Sequence, residues 1–155
     1  MQDPKLTLRY LPNAREEVVM TIQNATTLLE LGMFREAWDA IEALPEDLRE
    51  AAPARRIRAR SAAVLGRWEV AETVANELRH GNPADREEAA WCFQSIAAEH
   101  FKHGREDQAT RCLKKSVGAW PEQMASILED PRFTGKFLSQ FERSRRGESI
   151  VSESN

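Results

Sequence analysis

The chain has 155 residues, of which 41% are apolar and 30% charged, with a formal net charge of -3. This length suffices for one domain with its own core, and the acidic balance argues against a general nucleic-acid binder, since phosphate binding needs an excess of Lys and Arg. No apolar run approaches the roughly 20 residues of a membrane span, and the N-terminal residues lack the apolar stretch of a signal peptide. We therefore expect a cytoplasmic protein without nucleic-acid or membrane partners.

Three segments are expected along the chain: an extended arm over residues 1–12, a helical repeat domain over 13–143 and a disordered tail over 144–155. The arm is indicated by apolar residues that alternate with polar ones, namely Leu6, Leu8 and Tyr10. The tail has no periodicity and few apolar residues, which is typical of disorder.

Apolar residues recur at helical spacing throughout the middle segment, and Ala, Glu, Arg and Leu are abundant there. The predicted helices cover residues 13–32, 34–44, 53–66, 68–79, 83–103, 106–117, 121–129 and 131–141, with a short helical turn or linker over 46–52. Asn82 is expected to cap the long fifth helix, with Pro83 in its first turn and Asp85 completing the cap. Asp130 is expected to cap the last helix.

Glycines followed by alanines recur at nearly constant spacing. The glycines are Gly32, Gly66 and Gly104, which lie 34 and then 38 residues apart, and each is followed five residues later by an alanine: Ala37, Ala71 and Ala109. Bulky residues, Phe34 and Trp68, stand two positions after the first two glycines. A period near 34 residues is typical of stacked helical hairpins.

These positions resemble the tetratricopeptide repeat family, in which a small residue midway along the first helix lets the second helix pack closely. Alanines stand seven residues before the three glycines: Ala25, Ala59 and Ala97. Pro83 and Pro121, each 17 residues after a glycine, match the proline that usually ends a unit. Pro45 comes early by comparison, and Glu106 replaces the usual aromatic residue of the third repeat.

The resemblance covers about residues 13–121. It implies an all-α fold, an α-solenoid of stacked antiparallel hairpins that forms a right-handed superhelix, with the last two helices as a C-terminal cap. It further implies a concave groove, lined mainly by the first helix of each hairpin, that receives a peptide or a helix of a partner. It implies no catalysis and no cofactor.

Groove candidates are the first-helix residues that packing within a hairpin does not require. They are Val19, Ile22, Thr26 and Leu29 in the first repeat, Arg56 and Arg60 in the second, and Trp91, Gln94, Ala98, Phe101 and Lys102 in the third. An apolar end, a central basic pair and an aromatic end would suit an amphipathic or extended segment that bears a carboxylate, because Arg offers planar paired donors.

The arginines of the second repeat also have a simpler interpretation. On a helix, Arg56 and Arg60 share a face, and the whole cluster, Arg55, Arg56, Arg58 and Arg60, could be a solvated surface paired with Glu46, Asp47 and Glu50. Four tryptophans could indicate an aromatic cage that binds a ligand, but Trp38 and Trp68 fall at packing positions of the family. Trp91 is expected to be the most exposed, and Trp120 to join the body to the cap.

No residue is predicted to be catalytic, to bind a cofactor or to bind a metal. His100 and His103 could share a helical face, but no zinc-type spacing accompanies them. Cys92 and Cys112 fall on opposite helices of the third hairpin, where they could approach each other, and are expected to be reduced and buried. No acid–base pair or nucleophile is marked out that would indicate an enzyme.

The function expected from these features is a non-catalytic interaction module, an adaptor or assembly factor that binds a protein or peptide in its groove. Two alternatives remain open. One is a cytoplasmic holding chaperone of the bacterial secretion type, because an acidic array of this length is similar to such chaperones. The other is a homo-oligomerisation module in which a terminal apolar face pairs with a copy of itself.

Overall fold

A computed structural model describes residues 14–147, so the expected arm and residues 148–155 of the expected tail lie outside the described residues. The described part of the chain is helical and contains no strand. Its helices are α1 (Ala14–Glu30), α2 (Phe34–Glu42), α3 (Glu46–Arg49), α4 (Ala52–Val64), α5 (Trp68–Leu78), α6 (Pro83–Lys102), α7 (Glu106–Ala119), α8 (Gln123–Leu128) and α9 (Gly135–Arg145). The all-α prediction is confirmed.

Each of the three predicted glycines forms the turn between two helices. Gly32, Gly66 and Gly104 have φ of 77°, 76° and 76°, the left-handed region in which a side chain is strained. The amide of the residue after each glycine donates to a carbonyl five residues back, at 2.8 to 2.9 Å. This Schellman arrangement satisfies the last carbonyls of the first helix, and the next helix begins two residues after the glycine. The same turn is therefore built three times.

The hairpins α1–α2, α4–α5 and α6–α7 pack in chain order. Both helices of the first hairpin contact α4, and both helices of the second contact α6. The six alanines flanking the glycine turns, Ala25, Ala37, Ala59, Ala71, Ala97 and Ala109, are fully buried. Small side chains at these positions let neighbouring helices approach closely, as the sequence predicted.

The core consists of two clusters that meet in α4. Ala54 and Ile57 belong to the first, with residues of α1 and α2, whereas Ala59 belongs to the second, which extends from α2 to α9. At the C-terminal end, the ring centroids of Phe101 and Phe137 lie 4.6 Å apart. Aromatic side chains thus cover the last hairpin.

The last helix differs from its predicted bounds. It begins at Gly135 instead of residue 131, because the hydroxyl of Thr134, and not the carboxylate of Asp130, accepts the capping bond from the amide of Phe137 at 3.2 Å. It also continues to Arg145, beyond the expected boundary at residue 143. The predicted cap of α6 is confirmed, since Asn82 and Asp85 form a reciprocal capping box.

Two glycine-to-alanine substitutions test the role of the turns. Gly104→Ala should destabilise the protein by about 1 kcal/mol, because the added methyl group has free space but the left-handed conformation is strained. Gly118→Ala is the matched control, since Gly118 lies within α7 and also has free space around it. It should stabilise by about 0.5 kcal/mol. Urea unfolding measures both, and equal effects would contradict the turn assignment.

Candidate functional site

Trp91 of α6 stands where three surface clefts meet. The apolar cleft has a volume of about 670 Å³ and includes Val64, Trp68, Ala98, Phe101 and Lys102 in its lining. The arginine cleft, of about 460 Å³, includes Arg56, Arg60, Glu87 and Glu88. The cap cleft, of about 650 Å³, includes Gln94, Glu122, Glu129 and Arg132. Trp91 is the residue that lines all three of these clefts.

The apolar cleft is built mainly by first helices. α4 supplies Ala63 and Val64, α6 supplies most of the remaining wall, and the segment after α8 contributes Arg132. Val64 is 44% exposed, so an apolar side chain at the surface forms part of the wall of this cleft. The sequence offered a signal for it, because Val64 follows Arg60 by four residues and so shares its helical face.

The predicted groove residues divide into separate groups. Trp91, Ala98, Phe101 and Lys102 line the apolar cleft. The residues predicted from α1, namely Val19, Ile22, Thr26 and Leu29, line none of the three clefts. Ile22 and Leu29 pack against the first core cluster, and the hydroxyl of Thr26 donates to the carbonyl of Ile22 at 2.9 Å. The structure therefore does not bring the expected apolar end to the site around Trp91.

Arg56 and Arg60 are paired within the protein. The Nη1 of Arg56 donates to the carboxylate of Asp85, and the Nε of Arg60 donates to Oε2 of Glu88 at 2.8 Å. The simpler interpretation, in which these arginines are paired within the protein, holds for both, but their partners are Asp85 and Glu88 and not Glu46, Asp47 or Glu50. Both partners lie on α6, so these bonds join the second hairpin to the third. Burial raises the pKa of Glu88, while the charge and hydrogen bond of Arg60 act in the opposite direction.

The other arginines of α4 bind neighbouring helices as well. Arg58 donates to Glu42 of α2 at 2.8 Å, and Arg55 lies 3.4 Å from Glu77 of α5. Of the partners proposed from sequence, Glu50 lies 3.7 Å from Arg55. The cluster thus connects α4 to the helices on both sides.

Arg60 also holds the ring of Trp91. Its guanidinium lies 3.6 Å from the ring centroid, a cation–π contact that occupies one face of the indole. Trp91 is half-buried, as are Trp68 and Trp120, whereas Trp38 is buried. The Glu88–Arg60–Trp91 chain therefore fixes the orientation of the central aromatic residue.

Gln94 joins α6 to the segment that follows α7. Only 5% of it is exposed, its Nε2 donates to Asp130 at 2.9 Å, and its Oε1 accepts from Gln123 at 2.7 Å. Arg132 donates to the same Asp130 carboxylate through Nε and Nη2. Gln94 thus holds the segment between α7 and α9, residues 120–134 and hereafter the capping segment, against α6. It is not an open groove position, and helical spacing alone could not reveal this.

The carboxylate of Asp130 accepts hydrogen bonds from both Gln94 and Arg132. Burial by itself would raise its pKa, but hydrogen bonds from Arg132 and Gln94, together with the charge of Arg132, lower the pKa below its usual value. A carboxylate with a lowered pKa in the folded state stabilises the protein above the unfolded-state pKa, and that contribution is lost as the pH falls through the folded-state pKa.

The two cysteines are buried, and His100 and His103 form hydrogen bonds with neighbouring side chains. Cys92 and Cys112 are free and buried, as predicted, and burial raises the pKa of both thiols, that of Cys112 to about 11. His103 lies 2.9 Å from Glu99, and His100 accepts a hydrogen bond from Arg105. Over residues 14–147, no three potential metal ligands gather into one group.

Comparison with protein-family models, with curated proteins and with solved structures finds no significant match for this chain. Between residues 14 and 147, no helix combines the length and the apolar character that crossing a bilayer requires.

Replacing Asp130 tests its hydrogen bonds to Gln94 and Arg132. Asp130→Asn should destabilise the protein by about 1 to 2 kcal/mol at neutral pH, because charge-assisted hydrogen bonds to Arg132 are lost. The difference from wild type should begin to shrink as the pH falls below the ordinary Asp pKa of about 4, and should vanish only at still lower pH, where the carboxylate of the folded protein is protonated. Urea unfolding at several pH values measures this, with Asp39→Asn, at an exposed position of α2, as the control. A difference that persists unchanged at low pH would contradict the assignment.

Proposed function

We propose that the chain is a non-catalytic protein-interaction module of the tetratricopeptide type, which holds a segment of a protein partner in the clefts around Trp91. Support for the solenoid comes from three identical glycine turns and from hairpins that each pack on the next. In such an arrangement, first helices form one continuous surface, and α4 and α6 do lie side by side.

The observation that carries the proposal is the apolar cleft itself. Val64, Trp91 and Phe101 are left partly or largely exposed around a volume of about 670 Å³. Concave apolar surfaces with a few polar groups at the rim are typical binding sites, and Trp is enriched among the residues that dominate binding energy. A bulky apolar side chain of a partner would be removed from water here by contacts on several sides.

Self-association is a second candidate, and it concerns a different surface. Met20 of α1 and Leu31 in the first turn are 62% and 67% exposed, and Val19 is 47% exposed. These apolar side chains of the first hairpin would suit contact with another copy of the chain.

Two charge insertions distinguish the surfaces. Val64→Glu should abolish selection of peptides from a random display library, because it places a carboxylate in the apolar cleft. Val19→Glu is the matched control, since both residues are helical valines of similar exposure, and it should leave selection unchanged. Affinities of the selected peptides are then measured by calorimetry, and loss of an anchoring contact should cost about 2 kcal/mol or more.

Thermal unfolding of both variants verifies that the fold is kept, since neither valine is buried. A library that yields no peptide for the wild-type protein would contradict the proposal. If Val64→Glu has no effect on peptide selection, and light scattering shows that Val19→Glu turns an oligomer into a monomer, self-association replaces peptide binding as the proposed function.

A further inference from the structure

Most of the basic residues around Trp91 form ion pairs within the protein, whereas several of the acidic residues do not. Of the four basic residues that line the three clefts, three are paired within the protein: Arg56 with Asp85, Arg60 with Glu88, and Arg132 with Asp130. Lys102, at the far end of the apolar cleft, is the remaining one, and it has no ion-pair partner within residues 14–147. The arginines near Trp91 are thus already neutralised.

The carboxylates of the same clefts are in excess. Glu87 lines the arginine cleft, and Glu122 and Glu129 line the cap cleft. All three are exposed and form neither an ion pair nor a hydrogen bond through the side chain within the described part of the chain. A further carboxylate in the apolar cleft, that of Glu99, is bonded to His103. Two of the three clefts that Trp91 lines therefore present uncompensated negative charge.

The sign of this charge is opposite to the one that the arginine cluster suggested. A carboxylate brought beside Trp91 would meet Glu87, Glu122 and Glu129 without a free arginine to receive it. A Lys or Arg side chain would gain attraction to these groups and could lie near the indole ring. An apolar neighbour in the same segment could enter the apolar cleft, because the cap cleft and the apolar cleft share both Trp91 and Arg132.

We infer that the partner segment is basic and apolar: it places Lys or Arg side chains among Glu87, Glu122 and Glu129 and a bulky apolar side chain in the apolar cleft. This inference rests on the proposed function, since it names the chemistry of the segment that the clefts around Trp91 receive.

The test uses three blocked peptides in which leucine alternates with lysine, with glutamine or with glutamate. Blocking both ends removes terminal charges, so the net charge of each peptide comes only from its lysine, glutamine or glutamate side chains. Binding is followed by NMR through the indole N–H of Trp91, which the variant Trp91→Phe assigns. The lysine peptide should bind on the order of tenfold more tightly than the glutamine peptide, because each of three exposed pairs contributes a factor of about two. The glutamate peptide should bind most weakly.

A triple variant identifies the carboxylates responsible. In Glu87→Gln, Glu122→Gln, Glu129→Gln, the lysine and glutamine peptides should bind almost equally. The control is Glu30→Gln, Glu36→Gln, Glu46→Gln, which removes the same charge from exposed positions outside the three clefts and should keep the preference. Added salt should reduce the wild-type preference, since exposed pairs are screened.

Several results would overturn the inference. Equal binding of the lysine and glutamine peptides, or tightest binding of the glutamate peptide, refutes the basic preference. In that case the proposed function still stands if peptide selection depends on Val64. A preference that the control triple variant also loses would assign the effect to net charge. A Trp91 signal that responds to no peptide, but changes with protein concentration, would assign the clefts to a second copy of the chain.

Discussion

The left-handed backbone at three glycines is the constraint on which the rest of the structure depends. Because Gly32, Gly66 and Gly104 share one conformation and one hydrogen-bonding pattern, each first helix is followed by its partner after a turn of fixed geometry. Partners joined by such short turns must pack side by side. Fully buried alanines at matching positions then allow close contact between helices. The first helices α4 and α6 consequently become neighbours, and the clefts around Trp91 follow from that adjacency.

Helix α4 has a second role in joining the hairpins. Its apolar residues divide between the two core clusters, while its arginines form ion pairs with α2, α5 and α6. Exposed ion pairs contribute little stability individually. Here the carboxylate of Asp85 is almost fully buried and also completes the capping box of α6. Removing that carboxylate would therefore affect both a helix start and a hairpin interface.

The site around Trp91 depends on the same pairing. Arg60 lies against one face of the indole and is neutralised by Glu88, so the ring is held in place without leaving an unpaired cation beside it. The capping segment contributes through the bonds of Gln94 and Arg132 to Asp130, which bring Glu122 and Glu129 to the edge of the cleft. Residues distant in sequence thus determine the charge that a partner would meet.

The sequence by itself determined the helices, the turns and the inward-facing alanines, because periodicity and glycine conformation are local properties of the chain. It also identified Trp91, Ala98, Phe101 and Lys102, which line the apolar cleft as first-helix positions. The start of α9 was missed because Thr134, and not Asp130, caps that helix. The burial of Gln94 was missed because it depends on where Asp130 lies relative to α6. The pairing of Arg56 and Arg60 was likewise decided only by tertiary structure. Their carboxylate partners are 29 and 28 residues away, and the contact exists only once α4 and α6 are packed together.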